Sequence, residues 1–307
     1  MRFNLLLITI LGCIFYASCK SNSESESTQL RIVATTGMIA DILKNIAGEY
    51  AQVEALMGPG VDPHLYKASQ GDIGKLRNAD IVFYNGLHLE GKMTEIFESL
   101  GKEKPVVAVS DGIDKNKLIT INQEGDKITY DPHIWFDVSL WEQATAFAMQ
   151  QLIKIDPIHA DSYKLNGEKY LENLRQLHAE VISTMQTIPI ENRILITSHD
   201  AFSYFGRAYD VRVIGLQGIS TAAEFGLKDI TDMVNTIIAE KVKAVFVESS
   251  VSEKSIRSVQ EGCRQKKYDI QLGGTLYSDA MGYEGTPEGT YIGMVRHNIQ
   301  TMLEALK

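Results

Sequence analysis

The stretch IHADSYKLNGEKYLENLRQLHAEVISTM, Ile158 to Met185, contains no proline and a single glycine, Gly167. Its apolar residues recur at Tyr163, Tyr170, Leu174, Leu177, Val181 and Met185, giving one apolar stripe on an otherwise polar helix of 3.6-residue period. The spacing predicts one continuous helix, roughly 40 Å long at 1.5 Å per residue. Asp156-Pro157 ends the segment before it, and Pro189 closes it. Near the middle of a 307-residue chain, such a helix divides the sequence in two.

On both sides of it short apolar runs alternate with longer amphipathic ones. Before it, strands are predicted at residues 30–35, 52–56, 81–84 and 106–109, and helices at 38–47, 70–77 and 92–100. Residues 118–129, centred on Glu124-Gly125-Asp126, predict a hairpin, and 139–155 a helix capped by Ser139. After it, strands are predicted at 194–197, 211–216, 244–248 and 270–272, with helices at 201–208, 227–239, 255–265 and 293–306. Alternation of this kind implies an α/β fold with parallel sheets and right-handed crossovers. The expected architecture is two similar lobes, each a mainly parallel sheet flanked by helices, at residues 30–157 and 188–307. One long rigid helix, residues 158–187, joins them. Ligands of open α/β sheets sit beyond the carboxyl ends of strands, so the cleft between lobes is the expected site.

The first residues read differently. Arg2 precedes an apolar run from Phe3 to Tyr16, then Ala17-Ser18-Cys19 and a polar segment. That is an export signal, too short for a spanning helix of about 20 apolar residues. Small residues before Cys19 resemble a bacterial lipoprotein signal, with Tyr16 where Leu is usual. Residues 1–18 are therefore expected to be removed, with Cys19 lipidated and residues 19–29, rich in Ser and Glu, a flexible tether. Export to an extracytoplasmic, membrane-anchored place follows. Of three cysteines only Cys263 remains in the expected mature domain, so no internal disulfide can form, and a buried inert thiol is expected there. The chain carries 30 basic against 39 acidic residues, net −9, without a basic cluster, which argues against nucleic acid as a partner.

Chemistry gathers in the loops that leave strands. Asp62-Pro63-His64 and Asp131-Pro132-His133 repeat one tripeptide, in which proline holds each histidine on a rigid turn. In the second half His199 and Asp279 occupy corresponding exits. Three imidazoles and one carboxylate can complete a four-coordinate shell around a divalent transition metal. Their separations match no zinc finger, so the fold itself must assemble the site.

The motifs Gly60-Val61-Asp62-Pro63-His64, Asn85-Gly86-Leu87-His88-Leu89-Glu90, Asp131-Pro132-His133-Ile134-Trp135, Ser198-His199-Asp200-Ala201-Phe202, Gly218-Ile219-Ser220-Thr221 and Ser278-Asp279 run in order from about residue 30 to the end. In them the chain resembles the zinc- and manganese-binding solute-binding proteins of bacterial ABC importers, the TroA-like cluster A-I group. The resemblance implies one Zn²⁺ or Mn²⁺ held between lobes by His64, His133, His199 and Asp279 and delivered to a membrane permease, by a monomer. Manganese-dedicated members often place Glu where His199 stands, and zinc-dedicated members often carry a His-rich loop, which residues 113–130 lack. Three nitrogens favour zinc.

Asp62, Asp131 and Asp200 are candidates to orient the imidazoles, with turn capping as the alternative. His88 is expected to make a structural hydrogen bond, and His159, His178 and His297 to be surface or packing residues. Glu248 is expected to anchor backbone amides, and Trp135 to pack the wall between lobes. The long helix should resist hinge bending, so small closure and order–disorder of the Asp279 loop are expected. A zinc hydrolase with Asp279 as general base, and an adhesin with a structural metal, are the competing functions.

Overall fold

The computed structural model describes residues 29–125 and 127–307. The export signal, Cys19 and nearly all of the tether lie outside the described residues. The first lobe runs β1 (Leu30–Ala34), α1 (Gly37–Ala47), β2 (Ala51–Ala55), α2 (Gln70–Asn78), β3 (Ile81–Tyr84), α3 (Thr94–Leu100) and β4 (Val106–Ala108). A hairpin of β5 (Thr120–Glu124) and β6 (Lys127–Tyr130) follows, then α4 (Val138–Ile155). The four strands form one parallel sheet in the order β2-β1-β3-β4, the outcome expected of helices inserted between successive strands.

The predicted central helix is α5 (Ala160–Gln186), entered through a 3₁₀ turn at Pro157–His159. Asp156 fixes that elbow: its Oδ2 accepts the Tyr163 hydroxyl at 2.6 Å and lies 2.7 Å from His159 Nδ1. The His159 ring in turn stacks on Tyr50. Beyond α5 come β7 (Ile194–His199), α6 (Ser203–Tyr209), β8 (Arg212–Gln217), α7 (Leu227–Glu240), β9 (Ala244–Glu248), α8 (Lys254–Gln265), β10 (Gln271–Leu276) and α9 (Tyr291–Leu306). β7 pairs with β8 and β9 with β10, both parallel, and β7 lies alongside β9.

Element ends shift by a few residues, and one helix cap differs. Ser139 does not cap α4, because the helix starts one residue earlier and Asp137 takes the capping position. The Asp137 carboxylate accepts both the backbone N–H (3.0 Å) and the hydroxyl (2.6 Å) of Ser139.

The apolar stripe of α5 is not a strut in solvent. Tyr163, Leu174, Leu177, Val181 and Met185 are fully buried in a core shared with Met38 and Ile42 of α1, Trp141 of α4, and Tyr291 and Met302 of α9. Both lobes therefore contribute to one packed body around the helix, and a hinge motion would have to open that packing. Smaller apolar clusters line the far faces of the two sheets, around Leu76 and Phe97 in the first lobe and around Ile256 and Cys263 in the second. Cys263 is a buried free thiol there, pushed up in pKa by burial. Among the described residues no helix is long and apolar enough to cross a membrane.

Candidate metal centre

The two Asp-Pro-His tripeptides fold alike. In each, the Asp carboxylate accepts the backbone N–H of the histidine two residues on, at 2.9 Å for Asp62–His64 and 2.9 Å for Asp131–His133. Proline at the intervening position has no N–H to compete and fixes its own φ, so the turn aims the imidazole. Strand ends deliver the other two groups: His199 is the last residue of β7, and Asp279 follows β10 by three residues.

These four side chains meet in one buried place. One donor atom from each of His64, His133, His199 and Asp279 lies within 4.8 Å of all the others. Asp279 stands 3.3 Å from His199 Nε2, 3.5 Å from His133 Nε2 and 3.7 Å from His64 Nε2, and the His64 and His133 Nε2 atoms are 3.2 Å apart. Donors at about 2.0–2.1 Å around a tetrahedral ion are about 3.3 Å from one another, so the spacing fits a four-coordinate divalent metal. Two of the four residues present donors with no hydrogen-bond partner. His199 Nε2 and both Asp279 oxygens are buried without a hydrogen-bond partner, an arrangement that costs free energy unless a cation or proton fills it.

The far side of each ring decides which nitrogen faces the centre. Asp131 Oδ1 lies 2.7 Å from His133 Nδ1, holding that nitrogen as the donor and turning Nε2 inward. Glu248, the last residue of β9, faces the same nitrogen of His199 as an ion-pair partner. Its Oε2 is 2.5 Å from Nδ1 and its Oε1 accepts the His199 backbone N–H at 2.9 Å. Asp62 and Asp200 do not touch an imidazole in this way. The second oxygen of Asp62 accepts the Thr221 hydroxyl, and Asp200 accepts the Ser203 hydroxyl at the start of α6. Glu248 thus anchors a backbone amide as expected; its ring contact depends on β7 and β9 being neighbours, which no local motif reports.

Charge in the cluster is strongly coupled. Burial pulls the His64 pKa down to about 3, so its imidazole is neutral and able to ligate at physiological pH. For His199 burial acts in the same direction, but the Asp279 and Glu248 carboxylates outweigh it and raise the pKa well above the ordinary value. Burial would lift Asp279, yet the facing imidazoles, His199 foremost, hold it below the usual carboxylate range. Without metal, the site thus keeps a proton where a cation belongs.

Trp135 packs edge-on against the His133 ring, centroids 5.2 Å apart, and its indole N–H donates to the carbonyl of Ser278 at 3.0 Å. The wall residue thereby ties the His133 turn to the Asp279 loop across the cleft. That loop, expected to be the mobile part, is instead held from both sides. Asn298 of α9 accepts the Tyr277 N–H at 2.9 Å and donates to the Tyr277 carbonyl at 2.7 Å. His88 is exposed, at a left-handed φ of 68° beside Gly91, and is not among the four convergent donors. His178 meets the Tyr209 hydroxyl and His297 the Thr275 carbonyl, both remote from the centre.

Comparison with known proteins agrees with the geometry. The family model described as ZnuA, zinc-uptake complex component A periplasmic, matches residues 32–305. The chain is 48% identical over 309 residues to the manganese-binding lipoprotein MntA of Bacillus subtilis, covering 100% of both chains. It is 44% identical over 275 residues to the zinc-binding protein TroA of Treponema pallidum, covering 90% of this chain and 88% of TroA. The solved structure of that periplasmic zinc-binding protein superposes with a TM-score of 0.87 over 91% of this chain and 99% of its own. Fe(III)-bound YtgA of Chlamydia trachomatis, 28% identical, superposes with a TM-score of 0.81, covering 91% and 98%.

Proposed function

Since the chain belongs to the family of periplasmic zinc-uptake component A proteins, we propose that it captures a divalent transition metal outside the cytoplasmic membrane and delivers it to an ABC permease for import. The observation that carries this reading is the convergence of His64, His133, His199 and Asp279, two from each lobe, on one buried point. A cargo ion bound there joins the lobes, and its release requires at least one of the four donors to withdraw. The Cys19 lipid anchor keeps the carrier beside its permease, and the chain acts as a monomer.

Four donors leave no open position of the kind a catalytic zinc needs, which favours a carrier over a hydrolase. Both Asp279 oxygens are turned into the imidazole cluster, the position of a ligand rather than of a base waiting for water.

Zn²⁺ is the ion held more tightly. Three imidazole nitrogens suit it, and it lies above Mn²⁺ in intrinsic affinity for such a donor set. Relatives named for manganese and for zinc are similarly close, so the donor set carries the preference. Competitive titration of chelated protein with Zn²⁺ and Mn²⁺, with metal content measured afterwards, tests it. One Zn²⁺ per chain, displacing Mn²⁺, is expected; tighter binding of Mn²⁺ would reverse the assignment.

A further inference from the structure

Hydrogen bonds that tie the lobes and α5 together around the centre differ in burial. On the α5 side five are buried. Asp41 of α1 accepts the Tyr170 hydroxyl at 2.7 Å and the Tyr291 N–H at 3.3 Å. The Tyr291 hydroxyl donates to the Trp135 carbonyl, Trp135 to Ser278, and the Tyr204 hydroxyl to the Asp131 carbonyl at 2.9 Å. These bonds fix the turn of His133 and the loop of Asp279. On the His64 side, among the described residues, the crossing hydrogen bond is half-buried: the Thr221 hydroxyl, from the loop between β8 and α7, donates to Asp62 Oδ2 at 2.6 Å. A surface link, Lys44–Glu284, is a solvent-exposed ion pair of the kind that contributes little.

Asp62 is at the same time the carboxylate that holds the His64 backbone N–H. One side chain therefore couples the aim of a proposed metal donor to a hydroxyl of the opposite lobe. We infer that Thr221 and Asp62 form the clasp that closes the cleft over His64, and that metal release begins when this clasp opens and His64 withdraws, while His133, His199 and Asp279 stay in place. Thr221 is a positioning residue in this scheme: it acts on the ion through Asp62 and the His64 turn and does not touch it.

The inference rests on the proposed carrier function, and its test separates the two. Wild type, Thr221→Val and Thr221→Ser are loaded with Zn²⁺, and release to an excess of chelator is followed by stopped flow. Loss of one partly exposed, charge-assisted hydrogen bond should speed release about five-fold in the valine variant, which keeps the shape and lacks the hydroxyl. The serine variant, which keeps the hydroxyl, should release at the wild-type rate. In the metal-free proteins, hydrogen exchange of the His64 amide should likewise rise several-fold in Thr221→Val alone. Release at the wild-type rate in Thr221→Val, or equally fast release in both variants, overturns the clasp. A faster His64 amide in Thr221→Val, together with a wild type that takes up neither Zn²⁺ nor Mn²⁺, would sustain the clasp and sink the carrier reading.

Discussion

Glu248 holds His199 twice, its Oε2 2.5 Å from the ring Nδ1 and its Oε1 accepting the backbone N–H at 2.9 Å. The carboxylate sits on the far side of the ring from Nε2, which lies 3.3 Å from Asp279. Replacing Glu248 by Gln keeps the size and an acceptor but removes the charge that makes the imidazole a stronger donor. Partners of this kind contribute about 10–100-fold to metal affinity. Zn²⁺ affinity measured by chelator competition should fall by that much in Glu248→Gln. An unchanged affinity would mean that the carboxylate only anchors the strand end.

The same two carboxylates that raise the His199 pKa also predict what the ion displaces. At pH 7 the metal-free site holds a proton on His199, against the opposing effect of burial. A cation binding at Nε2 must expel it. Calorimetric titration of Zn²⁺ in buffers of different ionisation enthalpy should give about one proton released per ion at pH 7. A binding enthalpy independent of the buffer would show that His199 is already neutral.

The turns were legible in the sequence because they are local. Asp-Pro-His carries its own acceptor, its own rigid φ and its own histidine within three residues, so both copies could be read, and the strand exits of His199 and Asp279 followed from apolar periodicity. What was not legible lies at long separation. Glu248 meets His199 because two strands are neighbours, and Thr221 reaches Asp62 across 159 positions. The α4 cap moved from Ser139 to Asp137 for a smaller reason: both residues can cap, and only the backbone shows which N–H is free. Order–disorder of the Asp279 loop is expected because a rigid connecting helix leaves the movement to loops, and the bonds from Trp135 and Asn298 that hold this loop join residues far apart in the chain.

Burial of His64 makes stability depend on pH in a stated direction. Its folded pKa, about 3, is below the ordinary value of 6.5, so the unfolded chain binds the extra proton between those limits. The contribution is complete above pH 6.5 and is lost as pH falls toward 3, with a slope approaching about 1.4 kcal/mol per pH unit. His199, whose pKa is raised, gives a slope of opposite sign near pH 6.5, where the unfolded chain titrates, and that slope is common to the two proteins compared. Denaturant titrations of metal-free wild type and His64→Gln between pH 7 and 4 should show the stability difference shifting against the wild type on acidification. A difference constant across that range would mean that His64 is protonated in the folded protein.

Trp135 joins two proposed donors that belong to different lobes, and its N–H is the one bond that sets the Asp279 loop against the His133 turn. Trp135→Phe keeps an aromatic ring beside His133 and leaves the buried Ser278 carbonyl without its donor. The loop can satisfy that carbonyl only by shifting, and a shift moves Asp279 away from the three imidazoles at 3.3–3.7 Å. Losing such a bond is worth about 1 kcal/mol or somewhat more, so Zn²⁺ affinity should fall about five- to ten-fold. The smaller ring also leaves a cavity, so thermal stability without metal will drop for reasons unrelated to the ion. The distinguishing measurement is therefore the rise in melting temperature on adding saturating Zn²⁺, which should be smaller in the variant than in wild type at equal metal concentration. An equal rise in both proteins would show that the indole N–H contributes to packing alone and leaves the position of Asp279 unchanged.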